Sequence, residues 1–329
     1  MSEIRKHYFL DEYCIIASER GKRPNDFKVT NVISEVSDIV SGCFFCNGNE
    51  SKTPPATAVY KQGRVFIDTE TKRESGWDVR CFPNLFPAVS PHTITPDTSL
   101  SANLASGYGF HEIIVESPKH GMSLSGLNDD KMKLLMRVYR DRVTFYQAQE
   151  AIEFVSLFKN QGKSAGASLS HTHTQLVALP TVPPALKREL AAIKNAAKSA
   201  SVCPYCEIVS AESESVRLLA RNDHFIAIAP YYSIAPFEIW ILPVEHASHI
   251  REFDDSALDS LALILKEMLA RLDTVLSNPP YNYMFHQMVD EDYHFNLRIQ
   301  PALATIAGFE KNTGIYINSV VPEQVGTFI

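Results

Sequence analysis

The chain has 329 residues, 45% hydrophobic and 21% charged, enough for roughly two domains of about 150 residues each with its own core. With 31 Lys+Arg against 38 Asp+Glu, net charge -7, it offers no basic surface for a polyphosphate backbone, so nucleic acid is disfavoured and small ligands are favoured. No apolar run approaches the roughly 20 residues that span a bilayer, and Met1 to Phe9 lack a signal-peptide core, so a cytoplasmic protein with no membrane partner is expected.

In chain order, the first signal is the pair Cys43/Cys46, followed by an apolar run, Phe110 to Val115, that reads as a buried strand and ends near Pro118 and His120. An acidic cap then opens a long helical pattern, Asn128 to Gln149, with apolar residues recurring at three and four. A strand, Glu153 to Lys159, leads into a glycine-rich loop and then Ser170-His171-Thr172-His173-Thr174-Gln175. A Pro-marked stretch at 181–202 runs into a polar, Ala/Lys-rich helix and marks a boundary, giving halves 1–190 and 191–329.

The second half repeats the order: Cys203/Cys206, a strand at Phe237 to Leu242, His246, a helix from Asp254 to Leu276, a strand from Tyr281 to Gln287, then Tyr293-His294-Phe295-Asn296-Leu297-Arg298. An offset of 126 carries Glu112 onto Glu238 and His120 onto His246. The expectation is an α+β fold of tandem duplicated halves, each a mainly antiparallel sheet with flanking helices. The first half carries an insertion, because Cys46 and His120 are 74 positions apart and Cys206 and His246 only 40.

Six cysteines in a chain this long do not make a disulfide scaffold, and Cys-x-x-Cys in a reducing compartment presents two sulfurs to one ion. The repeat nominates the remaining ligands: Cys43, Cys46, His120 and His171 for one zinc, and Cys203, Cys206, His246 and His294 for a second. In the second set only the symmetry favours His294 over His249 or His286. A closed four-ligand site of this type has no open position and is assigned to structure. A redox dithiol is the rival, weakened because neither pair opens a helix within a clear βαβ pattern.

On a strand His171, His173 and Gln175 would share one face, so a metal on His171 fixes the backbone from which His173 projects. Glycines and small residues in Asn160 to Ser170 let backbone N–H groups close on a phosphate, with Asn160, Ser168 and Gln175 as further donors. A neutral imidazole beside such a cradle can attack an α-phosphorus, splitting one substitution into two. His173 is therefore the candidate nucleophile. Its counterpart two residues beyond His294 is Asn296, which cannot act so, leaving one catalytic half and one supporting half, with Arg298 and the C-terminal segment expected to reach over the working site.

These residues resemble the galactose-1-phosphate uridylyltransferase family, a two-lobed branch of the histidine-triad superfamily. Its signature, Phe-x-Asn-x-Gly-x-x-x-Gly-x-Ser-x-x-His-x-His-x-Gln, is met by Phe158, Asn160, Gly162, Gly166, Ser168, His171, His173 and Gln175. Arg20 to Pro24, Val79 to Ala88 and Gly308-Phe309-Glu310 are also similar to it. The resemblance implies ping-pong transfer of NMP from an NDP-hexose, through a covalent His173 intermediate, to a hexose 1-phosphate. It further implies that Asn84, Asn160, Gly166, Ser168 and Gln175 hold the nucleotide and phosphates, that Arg20 and Arg23 add charge, that Phe309 and Glu310 meet the sugar, and that the chain forms a homodimer.

Many uridylyltransferases have Pro between the two histidines and Gly or Cys after the second. Here those positions are Thr172 and Thr174, which looks more like the ADP-glucose phosphorylase branch, where inorganic phosphate takes the NMP. A histidine-triad hydrolase passing NMP to water and a zinc-stabilised nucleotide-binding module are the remaining rivals. The residues leave the base and the hexose open.

Overall fold

The computed structural model describes residues 2–22, 39–40, 42–92, 106–200 and 202–329. Its strands are β1 (Ser2–Lys6), β2 (Tyr13–Ala17), β3 (Ala58–Lys61), β4 (Arg64–Phe66), β5 (Val79–Pro83), β6 (Phe110–Val115), β7 (Phe154–Gln161), β8 (His173–Leu179), β9 (Leu218–Arg221), β10 (Phe225–Ile228), β11 (Ile239–Pro243), β12 (Tyr281–His286), β13 (Asn296–Pro301) and β14 (Tyr316–Asn318). The helices are α1 (Asp129–Gln147), α2 (Pro184–Ala200), α3 (Pro204–Glu212), α4 (Asp255–Leu276), α5 (Gly308–Thr313) and α6 (Pro322–Phe328).

Among the described residues, eleven strands form one sheet in the order β4-β3-β5-β6-β8-β7-β12-β13-β11-β10-β9, every pair in it antiparallel. Reading outward from the β7–β12 pair, five strands follow the same order on both sides, with β4 an additional edge strand of the first half, so the duplication seen in the sequence is a two-fold arrangement of one α+β unit. The halves join edge to edge there, with Asn282 opposite Asn160. Pairing the two innermost strands removes an edge from each half.

The long helices lie together on one face. Asn128 caps α1 by accepting from Lys131 N–H, and Asp254 caps α4 by accepting from Ala257 N–H, so each starts where a short polar side chain precedes the apolar repeat. Leu135, Met136 and Tyr139 of α1 and Leu261, Leu265 and Met268 of α4 enter one core with Leu176, Ile114, Phe285 and Leu297 from the sheet. Arg137 and Arg140 of α1 pair with Asp255 and Asp259 at the start of α4 along the exposed seam.

The other face differs between halves. In the second half it is covered by α2 and α3: Leu186 and Ile193 of α2 pack with Tyr205 and Ile208 of α3 against Trp240 and Ile228. The helix at the expected boundary thus packs onto the second half. In the first half the same face carries Ile113, Val115, Phe82 and Trp77, with Phe45 against them.

One sequence equivalence is corrected. Gln175 pairs with Ile113 in the first half, and Arg298, its counterpart, pairs with Trp240 in the second. Ile239, not Glu238, therefore stands where Glu112 does. The slip of one residue moves the carboxylate to the opposite face. Glu112 accepts from Arg142 at 2.8 and 3.0 Å on the helix side, while Glu238 accepts from Trp240 Nε1 at 2.9 Å and from Gln300 on the other. Phe237, at φ +60°, is left-handed just before β11, so the strand starts two residues later than the apolar run predicts.

Candidate active site and metal centres

Cys43, Cys46, His120 and His171 converge with their ligating atoms within 4.8 Å of one another, and so do Cys203, Cys206, His246 and His294. In the first cluster His171 Nδ1 is 3.5 Å from Cys43 Sγ and 3.7 Å from Cys46 Sγ, with His120 Nδ1 3.6 Å from Cys46 Sγ. In the second, the corresponding spacings are 3.7, 3.7 and 3.5 Å. A tetrahedral zinc with usual Zn–S and Zn–N bonds has S···N edges of about 3.6 Å, so both donor sets fit that ion in size and chemistry. Three of the four outer ring nitrogens are held, which leaves Nδ1 as the inward donor: His171 Nε2 donates to Ser117 O at 2.7 Å, His246 Nε2 donates to Glu291 O at 2.9 Å, and His120 Nε2 meets Ser170 Oγ at 3.2 Å, while His294 Nε2 is buried without a partner. The sequence rivals of His294 go elsewhere. His249 Nδ1 accepts from the Arg251 amide and His286 faces Glu189.

His171 lies just before β8 rather than within it, and His173 is the first residue of that strand. His173 Nδ1 is 2.8 Å from His171 O. A carbonyl can only accept, so Nδ1 carries the proton and Nε2 keeps its lone pair. Burial first, and then the nearby Lys159 cation, hold the ring below the ordinary histidine pKa and hence neutral. The ring is 7% exposed, meets Phe45 edge-on at 5.3 Å, and lines a cavity of about 350 Å³ with Gln175, Ser168, Asn84 and the rings of Phe44, Phe82 and Phe86.

Gln175 is oriented by a residue that motif reading missed. The amide N–H of Ala88 donates to His111 Nδ1 at 3.1 Å, which puts the His111 proton on Nε2, and that atom is 2.9 Å from Gln175 Oε1. With its oxygen taken, Gln175 is left with its NH2 for a ligand. A ring on the neighbouring strand that shares the Gln175 face was the available signal, but it required the β6–β8 register.

The loop between β7 and β8 closes through Gly162 and Gly166, both left-handed at φ +82° and +90°. A Cβ on Gly162 would come within 2.9 Å of Pro280, so the loop can press against the second half only without one. From β12, Asn282 Nδ2 donates to Asn160 Oδ1 and to Ala165 O, both at 2.8 Å. The Asn160 NH2 is thereby left on the loop side, near Gly166. Ser168 is exposed at the cavity mouth.

Other candidates are not gathered here. Arg20 is exposed in a short 3-10 turn, Ser18–Lys22, and Arg23 lies outside the described residues. Glu310 caps its own helix α5 at Ala307 N and lines a different cavity, with Asn282 and Tyr316, while Phe309 is exposed beside it. Arg298 does not reach over the His173 cavity. It is turned into the second half, donating to Glu189 at 2.7 Å and to Asn296 at 2.7 Å, with its guanidinium over Trp240.

A His-x-His that leads into a strand beside a glycine loop, in a duplicated antiparallel sheet with a cavity at His173, is the arrangement of a two-lobed nucleotidyltransferase of the histidine-triad superfamily. A family profile described as a domain of unknown function, DUF4921, matches residues 120–329. The ADP-glucose phosphorylase of Arabidopsis thaliana is 35% identical over 98% of this chain and 91% of its own length. The galactose-1-phosphate uridylyltransferase of Thermotoga maritima is 26% identical over 98% and 96%. Among solved structures, an Arabidopsis thaliana ADP-glucose phosphorylase with bound ADP-glucose aligns with TM-score 0.81 and 31% identity, covering 100% of this chain and 98% of that one. A uridylyltransferase aligns at 0.74 and 26%, covering 99% and 96%. The chain belongs to the family of galactose-1-phosphate uridylyltransferases and ADP-glucose phosphorylases, and it is an enzyme of the nucleotidyltransferase class. Among the described residues, no helix is long and apolar enough to cross a membrane.

Proposed function

We propose that the protein transfers the NMP of a nucleotide sugar through His173 to inorganic phosphate, as an ADP-glucose phosphorylase does. The observation that carries the reading is the Nδ1–H bond from His173 to His171 O at 2.8 Å, which leaves the Nε2 lone pair toward the cavity. The lone pair attacks the α-phosphorus, the new bond being N–P. The bond to the bridging oxygen breaks, and glucose 1-phosphate leaves with that electron pair. Positive charge gained by the ring meets the His171 carbonyl, while the freed NH2 groups of Gln175 and Asn160 and the hydroxyl of Ser168 donate to the non-bridging oxygens. A phosphate oxygen then displaces His173, giving NDP. Phe44, Phe82 and Phe86 offer π faces for a base.

Zinc would be held by Cys43, Cys46, His120 and His171, and a second ion by Cys203, Cys206, His246 and His294. Bound zinc supplies rigid cross-links between distant segments and takes no part in the transfer. Phosphate as acceptor is supported by the greater identity to the phosphorylase, 35% against 26% for the Thermotoga maritima uridylyltransferase.

The test is to incubate the zinc-loaded protein with ADP-glucose or UDP-glucose labelled at the α-phosphorus and then chase. Acid-labile label from ADP-glucose, released as ADP by phosphate, is expected. Release only by galactose 1-phosphate would move the assignment to uridylyl transfer, free NMP would mean hydrolysis, and no retained label would reject the covalent reading.

A further inference from the structure

Behind the nucleophile, on the helix side of the sheet, lies an ion pair between Lys159 and Glu116 whose side chains are both 0% exposed, Nζ to Oε2 2.5 Å. Lys159 also donates to Thr172 Oγ1 at 2.9 Å and to the carbonyl of His173 at 3.0 Å. Glu116 accepts from Thr172, from Thr174 at 2.6 Å and from the Tyr139 hydroxyl at 2.5 Å, and Tyr283 bonds Thr174 at 2.9 Å. The hydroxyls of Thr172, Thr174 and Tyr139 bond Glu116, and those of Tyr139 and Tyr283 meet Thr174, so the pair is tied to the residues on either side of His173. Burial by itself would push the Glu116 carboxyl up, but the Lys159 charge and these donors hold it low and ionised.

Such a pair is poor evidence of stabilisation, because well-packed apolar residues often serve a buried site as well or better. The second half is that replacement. By strand register Lys159 corresponds to Phe285, Thr172 to Phe295, Thr174 to Leu297 and Glu116 to Pro243. Phe285 and Phe295 pack with ring centroids 5.8 Å apart in the common core. The same backbone is thus held by apolar packing where position 296 is an inert amide, and by ions where position 173 is an imidazole.

We propose that Lys159 and Glu116 are positioning residues for His173, clamping Thr172 and the His173 carbonyl so that the ring keeps Nδ1–H on His171 O and Nε2 toward the cavity. The inference rests on the reading of His173 as nucleophile. Neither residue reaches the cavity, so both act through the strand. The reason for ions rather than phenylalanines is geometric. Directed hydrogen bonds fix the rotation of two peptide units, whereas apolar contacts fix only their distance.

The test uses zinc-loaded, full-length protein labelled with 15N-histidine, in three forms besides wild type: Thr172→Val, which deletes the bridging hydroxyl at constant shape; Thr172→Ser, which restores it; and Lys159→Met with Glu116→Gln, which removes both charges together. The expected result is that Thr172→Val and the paired variant form the nucleotidyl-enzyme about 10- to 100-fold more slowly. Donor KM should stay within about twofold, bound zinc and final label per chain should be unchanged, and Thr172→Ser should recover most of the rate. Nitrogen shifts should show one Nδ1-protonated tautomer for His173 in wild type and a mixture in the slowed variants.

Labelling as fast as wild type, or slowed labelling with an unshifted tautomer, overturns the proposal. If the paired variant does not fold, Thr172→Val decides. If wild type takes no label, the transfer reading falls; the positioning role then stands only if the tautomer still shifts in Thr172→Val, and falls if it does not.

Discussion

The two halves present the same strand with opposite contents. In the first, His173 bonds His171 O and opens onto a cavity. In the second, Asn296 occupies the same register and donates to His294 O at 3.2 Å, a copy of that contact, but the residue is fully buried. The space beyond it is filled by Arg298 and by Glu189, which α2 brings in, with Tyr205 and Tyr293 bonded to the same carboxylate. The metal-type cluster is present in both halves, whereas the space beside the aligned position is a cavity at His173 and is occupied by side chains at Asn296. A duplicated fold can keep the same ligand set in both halves while the side chains beside it leave a cavity in one half and fill the matching space in the other.

The sharpest way to erase the contrast is His173→Asn, which makes the first half read like the second. Label transfer should fall by more than about 10³-fold with metal content and Tm unchanged. The reciprocal Asn296→His should gain no label, because Glu189 and Arg298 fill the site; radiolabel counting per chain checks both.

Metal removal comes next. Cys43→Ser should lose one of two zinc ions and on the order of 10 °C in Tm, and should lose transfer too because His171 then holds its carbonyl poorly. Cys203→Ser should lose the other ion and a similar stability, yet its folded fraction should transfer label at the wild-type rate. Elemental analysis with labelling kinetics distinguishes these outcomes.

A smaller effect is expected of His111→Leu, which frees the Gln175 amide to rotate and should slow label transfer about 10-fold at unchanged zinc. Least of all on the rate is Arg298→Met. It leaves the Glu189 carboxylate buried without its cation and should cost roughly 3–5 kcal/mol of stability, largely recovered by adding Glu189→Gln, while the labelling rate per folded chain is unaffected. Denaturant unfolding measures the first and the burst assay the second.

Much of this was legible in the chain. The repeat, both Cys-x-x-Cys pairs with their histidines, the glycine loop and the long helices follow from spacing, and α4 starts where its Asp254 cap predicts. Less legible was anything requiring one strand to be aligned with another. Glu112 and Glu238 coincide at a sequence offset of 126, yet a one-residue slip in pairing sends them to opposite faces. His111, Glu116 and Lys159 carry no motif of their own, and each becomes meaningful only through its side-chain bonds to Gln175, Thr172, Thr174 or the His173 carbonyl across the sheet. Arg298 has the charge to serve a phosphate, but α2 supplies Glu189 to neutralise it first.

The amino-acid order alone set the duplicated α+β plan, the two Cys/His ligand sets and the contrast of His173 with Asn296, because helix periodicity, chelate spacing and loop composition are properties of neighbouring residues. Tertiary structure decided which half keeps an open cavity, which way the His173 ring is turned, and where buried charge lies beneath it. Those outcomes depend on strand register and on which distant side chains exclude water, and covalent neighbours do not fix either.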